Sequence, residues 1–385
     1  MNTPSKESLI APLSDRPFRF YDNRQKYLMF VNTCNEKWMV SDRVSMQIGH
    51  LSPTPPSLNV FDGGTGDGTI LARVMRDLHR QYPTVPFRVV AKEISLEDVR
   101  LCLEKLPDRF AEHPSTVAII TNLYYSEAAN LSPKEWQPDD INWHEIALSG
   151  DNACDYDEQI KSLDDVVADG WQVTASPKTG NPLYVKPTVL VLYREDHRFL
   201  LDSVIPSPGS PMSGYDLIIA SQPFRARMPI EFKAKKVLAP LARNLGPGGR
   251  MIVVYSHGND PGLEIIRKIW PDEDPFQTNR HLLLKALKAE LTASDPDLIF
   301  EAMSDSRSLF RYHMHTLPDE IGSNIGTSAL MAAWNAAVYV AQIPDERLVD
   351  VMEHGEYLRV TEQALQRYGG LWFRDESFVV SRRQI

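Results

Sequence analysis

The sequence predicts an α/β protein built on a largely parallel sheet, and three observations carry that expectation. Over residues 58–130, apolar runs alternate with helical periodicity. LNVFD is followed by a face of Ile70, Leu71, Val74, Met75 and Leu78. RVVAKEIS comes next, then a helix through Leu103 or Leu106, then TVAIITNLYY. Strand, helix, strand, helix, strand implies parallel pairing with right-handed crossovers. A glycine-rich turn, GGTGDG, directly follows the first strand. After an interruption over 131–213 the alternation resumes with DLIIASQPF, a helical stretch over 230–245 and GGRMIVVYS.

The remaining elements are read in order. Residues 1–57 form an N-terminal extension, helical in part, that ends in the proline-rich break LSPTPPS. Residues 58–130 are the first half of the core. Ser95, with Asp98 three residues on, marks the N-cap of its second helix. Residues 131–213 are an insertion in two parts. Its first part, 134–170, holds eleven acidic residues against Lys134 and Lys161. Its second part, 183–205, reads as a β-hairpin turning near residues 195–197. Residues 214–385 are the second half of the core. Pro240 is expected to kink the helix over 230–245. A helix is expected near 281–291. The stretches SRSLFRYHMHTL and SFVVSRR are expected to close the sheet as an antiparallel pair, with a helical insertion over about 316–370 between them.

Composition narrows the class of protein. At 43% hydrophobic and 24% charged residues, the 385-residue chain has the makeup of a globular protein rather than a disordered or fibrous one. No run approaches the ~18 apolar residues of a membrane span, and the first residues lack the apolar core of a secretion signal. Cys34, Cys102 and Cys154 are odd in number and lack metal-ligand spacing, which fits a reducing cytoplasm and no bound metal. The net charge of −10 lies almost wholly in the acidic segment, and no long run of Lys or Arg marks a nucleic-acid partner.

The chemistry concentrates in VFDGGTGDGT, residues 60–69. Asp62, Gly64, Gly66 and Gly68 give D-x-G-x-G-x-G between a strand and a helix. Glycines there let the backbone turn tightly and approach a ligand closely. Glu93 ends the next strand, where a carboxylate can accept from both hydroxyls of an adenosine ribose. A dinucleotide fold would place its third glycine one residue later, where Thr69 stands.

These residues, with LGPGGRMIVV, resemble the motifs of class I S-adenosylmethionine-dependent methyltransferases. The resemblance covers about 58–130 and 214–258. It implies a Rossmann-like seven-stranded sheet of order 3-2-1-4-5-7-6 with an antiparallel last strand, flanked by helices. It implies S-adenosylmethionine as cofactor and S-adenosylhomocysteine as product. Asp62, Gly63, Gly64, Thr65, Gly66, Gly68, Glu93 and Ile94 would hold the methionine and ribose parts, with Asn122 and Leu123 near the adenine. Gly63 departs from the pattern, since the family carries a large apolar residue there.

On the acceptor side, Ser221-Gln222-Pro223-Phe224 loosely resembles the loop of amine-methylating branches. In that reading Ser221 and Gln222 orient the acceptor and Phe224 stacks on it. The competing reading is a plain strand end with a proline turn. A hydroxyl acceptor would need a general base, for which His257 is the first candidate and His313 and His315 follow. Tyr21 and Tyr27 belong to a lid or to a helix on the sheet edge. The region 183–205 is either a pocket wall or a homodimer contact. The function expected is N- or O-methylation of a small molecule, without nucleic-acid or membrane partners. A protein acceptor, or a scaffold that keeps the fold without transfer, stands beside it.

Overall fold

The computed structural model describes residues 24–177, 182–210, 212, 214–315, 321 and 325–384. Its strands are β1 (Leu58–Asp62), β2 (Phe87–Lys92), β3 (Thr116–Thr121), β4 (Asn142–Leu148), β5 (Val173–Ala175), β6 (Pro182–Tyr184), β7 (Thr188–Arg194), β8 (Tyr215–Ser221), β9 (Leu245–Ser256), β10 (Leu298–Glu301), β11 (Leu309–His313) and β12 (Trp372–Arg382). Ten of these form one sheet of order β10-β12-β9-β8-β1-β2-β3-β7-β4, with β11 also paired to β12. Seven of them, β3-β2-β1-β8-β9-β12-β10, run in the expected order 3-2-1-4-5-7-6. The strand β12 is antiparallel to both β9 and β10. The strands β1 and β8, far apart in sequence, lie side by side and parallel, so the strand order runs outward in opposite directions from this point of the sheet.

Chain contacts divide the molecule into two compact units. Of the described residues, one unit takes those within 35–257, 276–312 and 374–384, and the other those within 24–34, 258–275 and 313–373. The first holds the large sheet. Its apolar clusters line both faces, one around Phe61, Ile218 and Phe378, the other around Val60, Leu71 and Ile252. The helix Thr69–Gln81 buries Ile70, Leu71, Val74, Met75 and Leu78, the face its periodicity predicts. Ser95 caps the helix Leu96–Leu103, accepting from the Asp98 amide at 3.4 Å.

In the second unit, helices Arg24–Thr33, Pro261–Ile269, Thr327–Val340 and Glu356–Tyr368 gather around Trp334. The Trp334 ring lies 6.1 Å from Trp270 and 5.0 Å from Tyr357. Gly262 is required there, because a Cβ would stand 2.2 Å from the Phe373 ring. No helix among the described residues is long and apolar enough to cross a membrane.

One local expectation needs correction, and two gain detail. The stretch 183–205 is not a hairpin turning at 195–197. All seven residues of β7 are buried, so this strand needs a neighbour on each side. It finds β3, antiparallel, and β4, parallel, and its chain then continues into a helical turn, Arg198–Leu201. The only hairpin of the insertion among the described residues is the two-stranded pair β5-β6. The stretch SRSLFRYHMHTL does pair with the last strand, through β11 against β12. A turn of helix, Asp305–Ser308, delays β11, and the edge of β12 beyond it is taken by β10. Finally, the helix over 230–245 meets Pro240 by widening into a π-helical stretch, Lys233–Leu238. Such a widening is one way a helix accommodates a residue that lacks an N–H.

Under the helix Thr69–Gln81, His79 stacks on His113 with ring centroids 4.9 Å apart, beside Phe87. Burial, followed by the nearby His113 and Arg109, lowers His79 from 6.5 to about 3. The unfolded chain therefore takes up this proton first. The stability linked to it is complete above pH 6.5 and is lost as the pH falls toward 3. Urea unfolding at about pH 7.5 and about pH 5 should show a loss of up to about 2 kcal/mol from this group. The His79→Leu variant should lose measurably less over the same interval, and an equal loss would contradict the assignment.

Candidate functional site

The carboxyl ends of β1, β2 and β8 meet at the reversal point of the sheet, where open α/β sheets form their crevice. The loop after β1 is anchored residue by residue. Gly63 donates its amide to the Ile219 carbonyl at 3.0 Å, and Thr65 donates to the Lys92 carbonyl at 3.1 Å. Gly66 and Gly68 both have positive φ, 55° and 77°, which favours glycine at each. Gly68 also has no room for a side chain, since a Cβ would lie 2.8 Å from Cys102 Cα and Sγ. This close approach sets the loop down on the helix Leu96–Leu103.

Glu93 is the fixed point of the site. Its Oε2 accepts from the Gly66 amide at 2.9 Å. Its Oε1 accepts from the Ile94 and Ser95 amides at 2.7 and 2.9 Å. A carboxylate offers about four lone-pair directions, so one remains, on Oε2. The carboxylate expected to meet the ribose hydroxyls is thus already tied to three backbone amides. Trp171, from the acidic insertion, donates its indole N–H to the Glu93 carbonyl at 2.8 Å. The insertion therefore helps to position this acid.

Asp62, at the end of β1, is buried and accepts from the Gly64 amide at 3.4 Å. Burial, reinforced by the Glu93 charge, pushes its carboxyl up to about 7. Asp67 pairs with Lys37 and caps Thr69 through both its amide and its hydroxyl. Burial opposes the charge of Asp67, but Lys37, Thr69 and Lys105 outweigh it and hold the carboxyl below its ordinary value.

The other expected residues fall in different places. Asn122 lies at the end of β3, yet its amide is spent on protein: it donates to the Gly170 and Lys186 carbonyls and accepts from the Thr188 amide. Leu123 is fully buried in the core. Ser221 ends β8 beside the glycine loop, with its carbonyl 3.8 Å from where a Gly64 Cβ would stand. Gln222, at φ 45°, ties three elements together. It donates to Glu36 at 3.3 Å and Asp375 at 3.2 Å, and it accepts from the Ser256 amide at 3.3 Å. Glu36 is itself buried, and that burial raises its carboxyl despite Lys37 and Gln222.

Phe224 turns inward. At 8% exposure, its ring packs 5.5 Å from Tyr255, with the Lys233 ammonium 5.1 Å from its centroid. It therefore shows no open face for stacking. His257 is a quarter exposed, and its Nδ1 lies 3.8 Å from Glu376 Oε2. Burial works against the Glu376 charge, but His257, Arg280 and Tyr255 together hold the carboxyl at about 2. Tyr27 belongs to the second unit, 6.1 Å from Tyr339, and Tyr21 lies outside the described residues. His313 and His315 stand at the end of β11 and just beyond it, where the His315 amide donates to the Thr33 carbonyl. The residues that sequence reasoning passed over are Trp171, Tyr125, Lys37 and Glu36. Only Tyr125 left a sequence signal, in the unusual Gly63. A Cβ at Gly63 would stand 3.2 Å from the Tyr125 ring, which fills that space.

No family model matches the chain, and no curated protein matches it. Solved structures similar to it include one described as a sarcosine dimethylglycine methyltransferase from Galdieria sulphuraria. It is 11% identical, with 91% of this chain and 86% of that chain covered and a TM-score of 0.36. A phosphoethanolamine N-methyltransferase from Haemonchus contortus, solved with S-adenosylhomocysteine, is 10% identical over 98% of this chain and 61% of that one, with a TM-score of 0.37. A geranyl diphosphate methyltransferase solved with S-adenosylmethionine is 9% identical over 89% of this chain and 85% of that one, with a TM-score of 0.33.

The close approach at Gly68 yields a direct test. Gly68→Ala combines an unfavourable φ with a clash against Cys102 backbone, and it should destabilise the protein by about 2–4 kcal/mol in urea unfolding. A shift within error of zero would show that this glycine is dispensable.

Proposed function

We propose that this chain is a methyltransferase that uses S-adenosylmethionine to methylate a small molecule on nitrogen or oxygen. The observation that carries the reading is the tie between Glu93 and the Gly66 amide at the reversal point of a sheet ordered 3-2-1-4-5-7-6. That tie sets a carboxylate with one open lone pair beside a side-chain-free loop. The space left bare by Gly64, bounded by ordinary contact distances, fits a ligand chain lying close on the backbone.

When bound, the cofactor supplies an electrophilic methyl group on a positively charged sulfur. The chain's own residues do the rest. Glu93 Oε2 accepts from one ribose hydroxyl, and the Gly63–Gly64 backbone carries the methionine part. Ser221, at the end of β8, borders the same loop and orients the acceptor, while Gln222 holds that strand end in place. Gln222 is held by Glu36, Asp375 and Ser256, so its amide is pre-set rather than searching. For a hydroxyl acceptor, His257 takes the proton. Glu376, kept ionised, faces its Nδ1 and stabilises the imidazolium that forms. A nitrogen acceptor arriving neutral needs no such base, so His257 separates the two acceptor types. A metabolite, rather than nucleic acid, suits a chain with a net charge of −10 and no basic run.

Calorimetric titration with S-adenosylmethionine, S-adenosylhomocysteine and NAD tests the cofactor. Micromolar binding of the first two and none of the third is the expected result, and binding of NAD alone would reject the reading. Glu93→Ala should weaken S-adenosylmethionine by about 1–3 kcal/mol, the scale of a lost charge-assisted hydrogen bond. Unchanged affinity in that variant would displace the ribose from Glu93.

A further inference from the structure

The space a Gly64 Cβ would fill is bounded by two oxygens. Tyr125 Oη lies 3.5 Å from that point and the Ser221 carbonyl oxygen 3.8 Å. The Tyr125 ring reaches this place because Gly63, the residue before, also lacks a side chain. Among the described residues, no hydrogen-bond partner meets the Tyr125 hydroxyl. Burial, with Glu93 and Asp62 adding their negative charge, pushes the phenol up, so it remains a neutral O–H. The Lys92 ammonium lies over the ring face, 5.2 Å from its centroid, and is drawn electrostatically to Glu93. A carbonyl oxygen only accepts, and a phenol oxygen accepts as well as donates. Two acceptor oxygens flanking the bare face of Gly64, with the Glu93 charge nearby, suit a positively charged group lying against that backbone.

We propose that Tyr125 is a binding residue of the methyl-donor site, its hydroxyl and the Ser221 carbonyl together receiving a cationic group of the donor above Gly64. This rests on the S-adenosylmethionine reading. That donor carries two such groups, the ammonium of its amino-acid tail and the methyl of its sulfonium. Both place positive charge against oxygen. Tyr125 thereby supplies, from a different strand end, a polar contact where an apolar side chain at residue 63 would supply none.

The test is calorimetric titration of the full chain and of Tyr125→Phe with S-adenosylmethionine, S-adenosylhomocysteine and methylthioadenosine. The second probe keeps the ammonium and lacks the sulfonium; the third lacks both. Loss of one hydrogen-bond contact should weaken S-adenosylmethionine about fivefold and leave methylthioadenosine unchanged. Equal weakening of S-adenosylhomocysteine assigns the contact to the ammonium, and unchanged S-adenosylhomocysteine assigns it to the sulfonium methyl; both uphold the proposal. Unchanged binding of all three probes, or an equal loss for all three, overturns it. A second variant, Gly64→Ala, adds a Cβ at ordinary contact distances from both oxygens, so it should fold normally while filling the space. It should lose more than about tenfold in S-adenosylmethionine affinity, by steric exclusion. A folded Gly64→Ala protein with retained affinity would also overturn the proposal. If the unaltered chain binds none of the probes, the methyl-donor reading itself fails, and that result needs no variant.

Discussion

The site depends on one carboxylate and the three backbone amides it holds. Glu93 joins Gly66, on the loop after β1, to Ile94 and Ser95, at the start of the next helix. Two chain segments that share no covalent neighbour are thus fixed to one side chain. Backbone N–H groups at a strand end would otherwise be unsatisfied, and a partly buried carboxylate would otherwise lack its solvation. Each need is met by the other. The loop's shape is held in turn, because Gly66, free to take its positive φ for want of a Cβ, is pinned by this bond. Gly68 completes the arrangement by letting the loop rest on Cys102.

The parts of this arrangement visible in the sequence are those carried by residue type at short range. The glycines, Glu93 and the apolar face of Ile70, Leu71, Val74, Met75 and Leu78 announce themselves through spacing alone. So does the N-cap at Ser95. The order of the seven strands was legible through the family resemblance, since periodicity gives elements and not their neighbours. What stayed hidden was long-range. Asn122 sits where a ligand-facing residue was expected, but its amide bridges Gly170, Lys186 and Thr188, contributed from 48 to 66 residues away. For Phe224 both a stacking role and a plain strand end stood open, and the burial of its ring against Tyr255 depends on a strand from another part of the chain.

The insertion shows the same division. Its first part is strongly acidic, and its apolar run suggested a hairpin. In the structure β7 is buried along its whole length, which only a strand with two neighbours can achieve. The sheet therefore extends past β3 by two strands, and Trp171 follows from that extension. Its indole reaches the Glu93 carbonyl because the helix Asp164–Gly170 ends beside β3. Acidic residues occupy the outward faces of these helices, as Asp164 does in pairing with Arg100. Charge and burial are thus separated within one segment, which average composition cannot reveal.

A second buried acid governs the opposite side of the crevice. On β12, Asp375 and Glu376 are adjacent and fully buried, and a strand sends neighbouring side chains to opposite faces. Asp375 meets Gln222, while Glu376 meets Arg280, Tyr255 and His257. Burying a carboxylate is costly unless its lone pairs are filled, and Glu376 accepts from Arg280 Nη1 at 2.7 Å, the Arg280 amide at 2.7 Å and Tyr255 Oη at 2.8 Å. An apolar pair in the same place would match this stability. It would not fix the position of His257, nor anchor the helix Arg280–Leu291 in one register against β12. The acid's distinctive contribution is therefore geometric. It keeps a titratable ring in one place at the strand end where an acceptor would be oriented, and it does so with a charge that persists down to about pH 2.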